Sequence, residues 1–481
     1  MDLTPLINIV DTRNNPIYVQ IYSYLRLEIE ENRLEKGTKL PSIRKLAQRL
    51  TINKNTVENA YRQLQAEGYI TSREKSGWYV CDLEPELIKQ VKNSIDLSKP
   101  QKLPECKYSS TMPEVDIIYD FRYGKIDAQH FPGPLWRRAL TKSLSMGMTN
   151  SQYYGDPQGE LLLREELVRF LYQSRGVRCN ADQVVIGSGT QNILSMLTLL
   201  LNQYGQKIAF EDPGYDAARI VFQNAGYEII PIPLEEDGIE VNKIHESDAR
   251  CVFITPSHQF PFGMTLPIKK RLQLLKWANE IDGFILEDDY DGEFRFHGHP
   301  IPSLQGLDTN DRVIYLGTFS KSLAPSFCMA YMVLPYRLLN IWKETFSLYN
   351  SNVSLIQQEA LIIFMKDGHW ARHLKKMRKL YASKQDKLLH ALHKCLSNKI
   401  VVKGAGAGLH VVIEVPNLNV HASSIIEKAN QLGIGLYSTA SYWINPIGRE
   451  RPDFLIGFGG INEEDIEEGV QLIASIINEN L

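Results

Sequence analysis

With 481 residues the chain exceeds one average domain, and its 43% hydrophobic and 23% charged content is that of a folded globular protein. That composition excludes collagen-like, disordered and disulfide-scaffold classes. No apolar run approaches the roughly 18 residues a membrane span needs, and no signal-peptide pattern precedes the first helix pattern. A cytoplasmic location without a membrane partner is therefore expected. Six cysteines (Cys81, Cys106, Cys179, Cys251, Cys328, Cys395) lack the paired spacing of zinc sites or disulfide frameworks, so no metal is expected. The net charge of −3 speaks against nucleic acid only if charge is evenly spread.

It is not evenly spread. From Lys36 to Lys75 nine basic residues face three acidic ones, a net of +6 that leaves −9 for the rest of the chain. Ile17, Ile21, Leu25 and Ile29 recur every fourth residue and predict an amphipathic helix. Leu46, Ala47 and Leu50 mark a short second helix, opened by Pro41 and Ser42, which suit a helix start. Val57, Ala60, Tyr61 and Leu64 mark a third, whose other face offers Lys54, Asn55, Asn59 and Arg62. Gly68 ends it, and two short strands follow around a tip with Lys75, Ser76 and Gly77.

Helix, short helix, turn, helix and β-hairpin is the order of a winged helix-turn-helix, whose third helix enters the major groove of double-stranded DNA. The stretch Leu40 to Ile70 resembles the DNA-binding domain of the GntR superfamily of bacterial regulators. The resemblance implies DNA contacts from Ser42, Arg44, Lys54, Asn55, Thr56 and the wing tip at Lys75 and Gly77, with Arg62 beside them on the third helix. This domain is placed at residues 14–82. Residues 83–115 hold Pro85, Pro100, Pro104 and Pro113 among alternating charges and read as a linker, with a short helix near Glu86 to Ser94.

Residues 116–481 alternate short apolar runs with longer helical patterns. The runs Val184–Ile186, Ile208–Phe210, Val252–Ile254, Phe284–Leu286 and Val313–Leu316 suit strands buried on both faces of a mainly parallel sheet, an α/β architecture. Each is followed at once by polar residues: GSGTQ, EDPGY, TPSHQF, EDDYD and GTFSK. Ligands of open α/β sheets bind beyond the carboxyl ends of the strands, so the five ends point to one shared site.

Gly187 to Gln191 leads into a helix and suits an anion. Lys321 sits past a strand among Thr318, Ser320 and Ser322, which suits a Schiff base beside a phosphate. Asp288 and Tyr290 follow the Phe284–Leu286 run two residues apart, a spacing that can place both side chains on one side. Together these residues resemble a fold-type-I pyridoxal-phosphate enzyme of the aspartate aminotransferase class. By that resemblance Lys321 forms the internal aldimine, Asp288 pairs with the pyridine nitrogen and Tyr290 contacts the ring oxygen. Ser188, Gly189 and Thr190, helped by Thr318 and Ser320, hold the phosphate, and Tyr215 stacks on the ring. Arg451, in ERPDFLIGF, matches the arginine that clamps a ligand carboxylate.

A GntR-type winged helix joined to an aminotransferase-like domain resembles the MocR/GabR-type transcriptional regulators. The resemblance implies a domain-swapped homodimer, an operator of two half-sites and an amino-acid-like effector held on pyridoxal phosphate as an external aldimine, with at most residual half-transamination. Cys328 stands where the family has a phosphate-binding arginine, a loss worth roughly 1.5–3 kcal/mol of cofactor binding. Asp216 and Ala217 replace the arginines of GABA-responsive members, so GABA is not carried over as the effector. Two other readings follow from the same residues: a metabolic aminotransferase with an oligomerising appendage, and a regulator without cofactor.

Overall fold

The computed structural model describes residues 16–74, 76–83, 116–147, 154–296, 298, 300–445 and 452–481, in two compact units that divide between Ser110 and Thr111. The linker expected over 83–115 lies outside the described residues apart from Leu83, as does the short helix near Glu86 to Ser94.

In the first unit α1 (Ile17–Glu30), α2 (Ile43–Leu50) and α3 (Lys54–Ala66) precede a hairpin of β1 (Ile70–Arg73) and β2 (Gly77–Val80). Ser42 caps α2 by accepting from the Lys45 amide, and Asn53 caps α3 by accepting from the Asn55 amide. Between them Thr51 turns the chain in the left-handed region, at φ +54°. Ile21, Leu25 and Ile29 of α1 pack on Leu46 and Ala47 of α2 and on Val57, Ala60, Tyr61 and Leu64 of α3. The four-residue period seen in the sequence is the buried stripe of α1, with Ile17 at its half-buried end. Thr38 to Leu40 lies along β2, Leu40 donating to the Trp78 carbonyl and Val80 to the Thr38 carbonyl.

The second unit opens with β3 (Tyr119–Asp120). Its main sheet comprises β4 (Val184–Gly187), β5 (Lys207–Asp212), β6 (Glu228–Glu235), β7 (Gly238–Ile239), β8 (Cys251–Ile254), β9 (Phe284–Asp289), β10 (Val313–Thr318) and β11 (Ala330–Val333). The order is β4-β11-β10-β9-β8-β5-β6-β7. Neighbours from β10 through β9, β8 and β5 to β6 are parallel, and β11 runs antiparallel between β10 and β4. Apolar clusters cover both faces, which is why these strands lack polar alternation.

β5, β9 and β10 run further than the apolar runs alone suggest. Glu211 and Asp212 stay paired with β6, and Asp288 and Asp289 stay paired with β10, so these polar residues are the last of their strands and not loop residues. Parallel pairing continues past the apolar stretch because the backbone ladder is indifferent to side chain.

A smaller antiparallel sheet follows, from β12 (Val401–Lys403), β13 (His410–Glu414), β15 (Tyr437–Ser438) and β16 (Asp453–Gly457); β14 (Ile434–Gly435) pairs instead with β3. The long helix His369–Leu396 and the last helix Ile466–Asn478 share a core with it. No helix among the described residues is long and apolar enough to cross a membrane.

Candidate functional site

At the carboxyl ends of the parallel strands a cavity of about 130 Å³ is lined by Tyr123, Thr190, Tyr215, Thr255, Phe260, Asp288, Tyr290, Thr318, Ser320 and Lys321. Seven of the nine cofactor positions expected from the sequence meet there. The other two, Ser188 and Gly189, form the turn immediately before Thr190, the first residue of the helix Thr190–Leu201.

Alternation along β9 sorts its three consecutive acids. Glu287 accepts from the amides of Leu304 and Gln305 at 2.7 and 2.8 Å. Asp289 accepts from Arg175 Nε at 2.6 Å and the Tyr315 hydroxyl at 2.5 Å. Asp288 points the other way, into the cavity, where no donor among the described residues meets its carboxylate. Burial pushes Asp288 up to about 8, with Asp289, Asp291 and Glu211 adding repulsion and Lys321 opposing it.

The Lys321 amine lies 4.1 Å from the centroid of the Tyr123 ring. Burial pulls it down to about 8, against the pull of Asp291 and Asp288. Tyr123 is followed by Gly124 at φ +95°, a conformation that favours glycine. At the far end of the cavity Thr318 Oγ1 donates to Ser320 Oγ at 3.0 Å and accepts from the Ser320 amide at 3.2 Å. Gly187 is held close under the turn, since a Cβ there would lie 2.6 Å from Ile193 Cγ1. Gly189, at φ +88°, has open space where a side chain would begin. A helix N-terminus, small hydroxyls and open space suit an anion.

Behind the cavity wall the Tyr290 hydroxyl donates to the His258 carbonyl oxygen at 3.0 Å and lies 3.0 Å from His258 Nδ1. The same Nδ1 is 2.9 Å from Asp291 Oδ2. Phe260 is the hub of an aromatic cluster with Tyr123, Tyr215, Tyr442 and His410. His258, Asp291 and His410 bring ligand-type atoms within 4.8 Å of one another, a grouping that scattered cysteines gave no hint of. Sequence reasoning gave no role to Tyr123, Thr255, His258, Phe260, Asp291 or His410. His258 and Asp291 lie within the quoted runs TPSHQF and EDDYDGEF, whereas Tyr123 and His410 arrive from distant parts of the chain.

Cys328 is exposed, at φ +46°, with its thiol toward the Pro325 carbonyl, and does not line the cavity. Arg219 spends its guanidinium on the carbonyls of Ser441 and Tyr442. Arg451 lies outside the described residues.

In the first unit Ser42, Arg44, Lys54, Asn55 and Arg62 are exposed on α2 and α3, and Thr56 is half-buried. Ser42 also carries the cap of α2, and Arg62 is tied to Glu58 at 2.8 Å. Gly77 starts β2 at φ +115°; Lys75 lies outside the described residues. Two further cations flank the wing ring Tyr79: Arg73 at 4.6 Å and Lys39 at 5.7 Å.

Residues 17–80 match the family described as bacterial regulatory proteins, gntR family, and residues 124–473 match aminotransferase class I and II. The chain is 40% identical over 98% of its length to the HTH-type transcriptional regulator YdeL of Bacillus subtilis (strain 168), covering 98% of that protein. It is 32% identical over 96% of its length to the probable rhizopine catabolism regulatory protein MocR of Rhizobium meliloti, covering 93% of it. Among solved structures, kynurenine aminotransferase of Pyrococcus horikoshii superposes with a TM-score of 0.68 at 26% identity, over 76% of this chain and 92% of that one. A gntR-type reading head ahead of an aminotransferase fold, matched end to end by named regulators, places the chain in the MocR-type family of helix-turn-helix transcriptional regulators.

Proposed function

We propose that this regulator binds an operator through α3 and the wing and senses an amino compound in the cleft at Lys321, with pyridoxal phosphate as its cofactor. The observation that carries the cofactor reading is the Lys321 amine and the Asp288 carboxylate, neither with a hydrogen-bond partner among the described residues, facing one cavity that ends in an anion cradle. Bound there, pyridoxal phosphate supplies an aldehyde that condenses with amines and a ring that draws electrons when its nitrogen is protonated.

The residues fit that group. Lys321, lowered to about 8, presents an appreciable neutral fraction near neutral pH. Asp288 holds a proton at the ring nitrogen, and that cation relieves the repulsion which raises Asp288. Tyr290 meets the ring oxygen, Tyr215 packs against the ring, and Ser188, Gly189, Thr190, Thr318 and Ser320 receive the phosphate. Arg451 clamps the effector carboxylate. An effector shifts the DNA-binding state only by preferring one of two conformations of the chain.

On the DNA side, Arg44, Lys54, Asn55, Thr56, Arg62 and the wing at Lys75 and Gly77 meet bases and phosphates, with Ser42 at the start of α2. The working unit is a domain-swapped homodimer on two half-sites, with the reading head at 14–82, the linker at 83–115 and the sensor at 116–481.

The test is the visible absorption band of purified protein with pyridoxal phosphate, followed alongside retardation of DNA from its own upstream region. Lys321→Ala is expected to abolish the band and the effector response while leaving retardation. A band and response that survive this change sink the proposal. The complete lysine, aspartate and tyrosine set favours one second reading, a working aminotransferase. Multiple-turnover transamination without DNA retardation is its signature.

A further inference from the structure

We propose that His258 and Asp291 are positioning residues that turn the Tyr290 hydroxyl into the cleft, toward the ring oxygen of the cofactor; the inference rests on the cofactor reading above. The pair is 3% exposed on both sides and makes its contact at 2.9 Å. Two oxygens compete for one imidazole nitrogen: Asp291 Oδ2 at 2.9 Å and Tyr290 Oη at 3.0 Å from His258 Nδ1.

The place of the imidazole proton follows from the other nitrogen. His258 Nε2 is buried and has no hydrogen-bond partner among the described residues. Backbone walls it in, for a Cβ on Gly263 would lie 2.9 Å from it. A proton on Nε2 would be a buried donor without an acceptor, the costlier arrangement. The proton therefore sits on Nδ1, where the Asp291 carboxylate accepts it. Aspartate fixing a histidine tautomer in this manner is a general device.

Nδ1–H, shared between Asp291 and Tyr290, makes the tyrosine oxygen an acceptor. The hydrogen of Tyr290 then has two outlets, the His258 carbonyl at 3.0 Å and the cleft. A charged ring oxygen outcompetes a neutral carbonyl, because charge-assisted hydrogen bonds are about twice as strong. Gly408 presses backbone over the pair, and any Cβ there would collide with His258 and Asp291. His410 does not compete: its Nε2 donates to the Pro261 carbonyl at 2.9 Å, and burial lowers it well below the usual histidine range. The titratable groups facing Tyr290 are Asp291, Tyr123, Asp288 and Glu211, with Lys321 across the cavity.

The experiment is a pH titration of the visible band in the full chain loaded with pyridoxal phosphate. In His258→Phe the Nδ1 donor is gone, and the Tyr290 hydrogen stays on the position-258 carbonyl at 3.0 Å. A ring oxygen stripped of its donor holds the neighbouring proton more tightly, so the midpoint rises, by about one to two pH units. Loss of the Asp291 charge alone works the other way, because that charge favours the protonated lysine nitrogen. Tyr290→Phe is expected to raise the midpoint too, and the double variant no further than Tyr290→Phe alone. If His258→Phe does not fold, His258→Leu removes the same Nδ1 donor and is expected to raise the midpoint likewise. An unchanged or lowered midpoint, or shifts that add in the double variant, overturns the positioning role while leaving the cofactor reading in place. A wild-type chain without a visible band removes both.

Discussion

Asp288 and Lys321 set the charge of the cleft between them, each only partly offset by the other and by its neighbours. Their shifts oppose the ordinary behaviour of their side chains, a carboxylate up to about 8 and an amine down to about 8, which is the signature of burial before a ligand. Cys328 is exposed and does not line the cavity, so its exchange for arginine tests whether a longer side chain from that position reaches the anion end. Cys328→Arg is expected to tighten pyridoxal phosphate roughly ten- to hundredfold, measured by titrating the visible band. Unchanged affinity means that an exposed position at the end of Pro325–Phe327 does not reach the phosphate. Lys321 and Asp288 stand out in the sequence because they fall five and two residues past the apolar runs Val313–Leu316 and Phe284–Leu286. His258 and Asp291 do not, because a partner thirty-three positions away leaves no mark on either local pattern.

At the scale of elements, caps and alternation do most of the ordering. Asn53 caps α3 through the Asn55 amide, so Asn53→Ala is expected to destabilise the first unit by about 1 kcal/mol, seen as a lower denaturant midpoint. An unchanged midpoint would mean that water replaces the cap at no cost. In β9, Glu287 and Asp289 face one side and Asp288 the other, so Asp289→Asn is expected to act on stability through Arg175 and Tyr315 and on the cleft only by easing the repulsion that raises Asp288. Its readout is a lowered thermal midpoint with the cofactor band retained. The helices of the first unit were legible from spacing alone, since each buries a stripe at helical period. The apolar runs mark the strands but not their ends, because apolarity stops at Leu286 and Leu316 while the hydrogen-bonded ladder continues beyond both. Ser42 caps α2, so a DNA contact proposed for it would draw on the group that already holds the helix start.

For the molecule as a whole, buried carboxylates dictate how stability follows pH. Glu211 and Glu287 are raised to about 7 and Asp288 to about 8, each chiefly by burial. The folded chain keeps these protons where the unfolded chain has lost them, so stability falls as pH rises from about 5 to 8. Lys321, lowered from 10.5 to about 8, reverses the sign above that, where the unfolded chain holds the proton. The cofactor-free protein is therefore expected to show its lowest thermal midpoint near pH 8, and Asp288→Asn to flatten the fall. A midpoint that climbs between pH 5 and 8 contradicts these assignments. The division of charge between a basic reading head and an acidic remainder was visible from residue counts, but the joining of distant segments around the cavity was not. β3 shows what that joining entails. Tyr119 and Asp120 pair with Ile434 and Gly435 near the far end of the chain, and Tyr123 of the cavity follows directly on β3. The core of the first unit, in contrast, draws only on residues 17–83. Domains tend to fold in the order in which they leave the ribosome. A growing chain thus holds a finished reading head long before the strand that completes its sensor has been made.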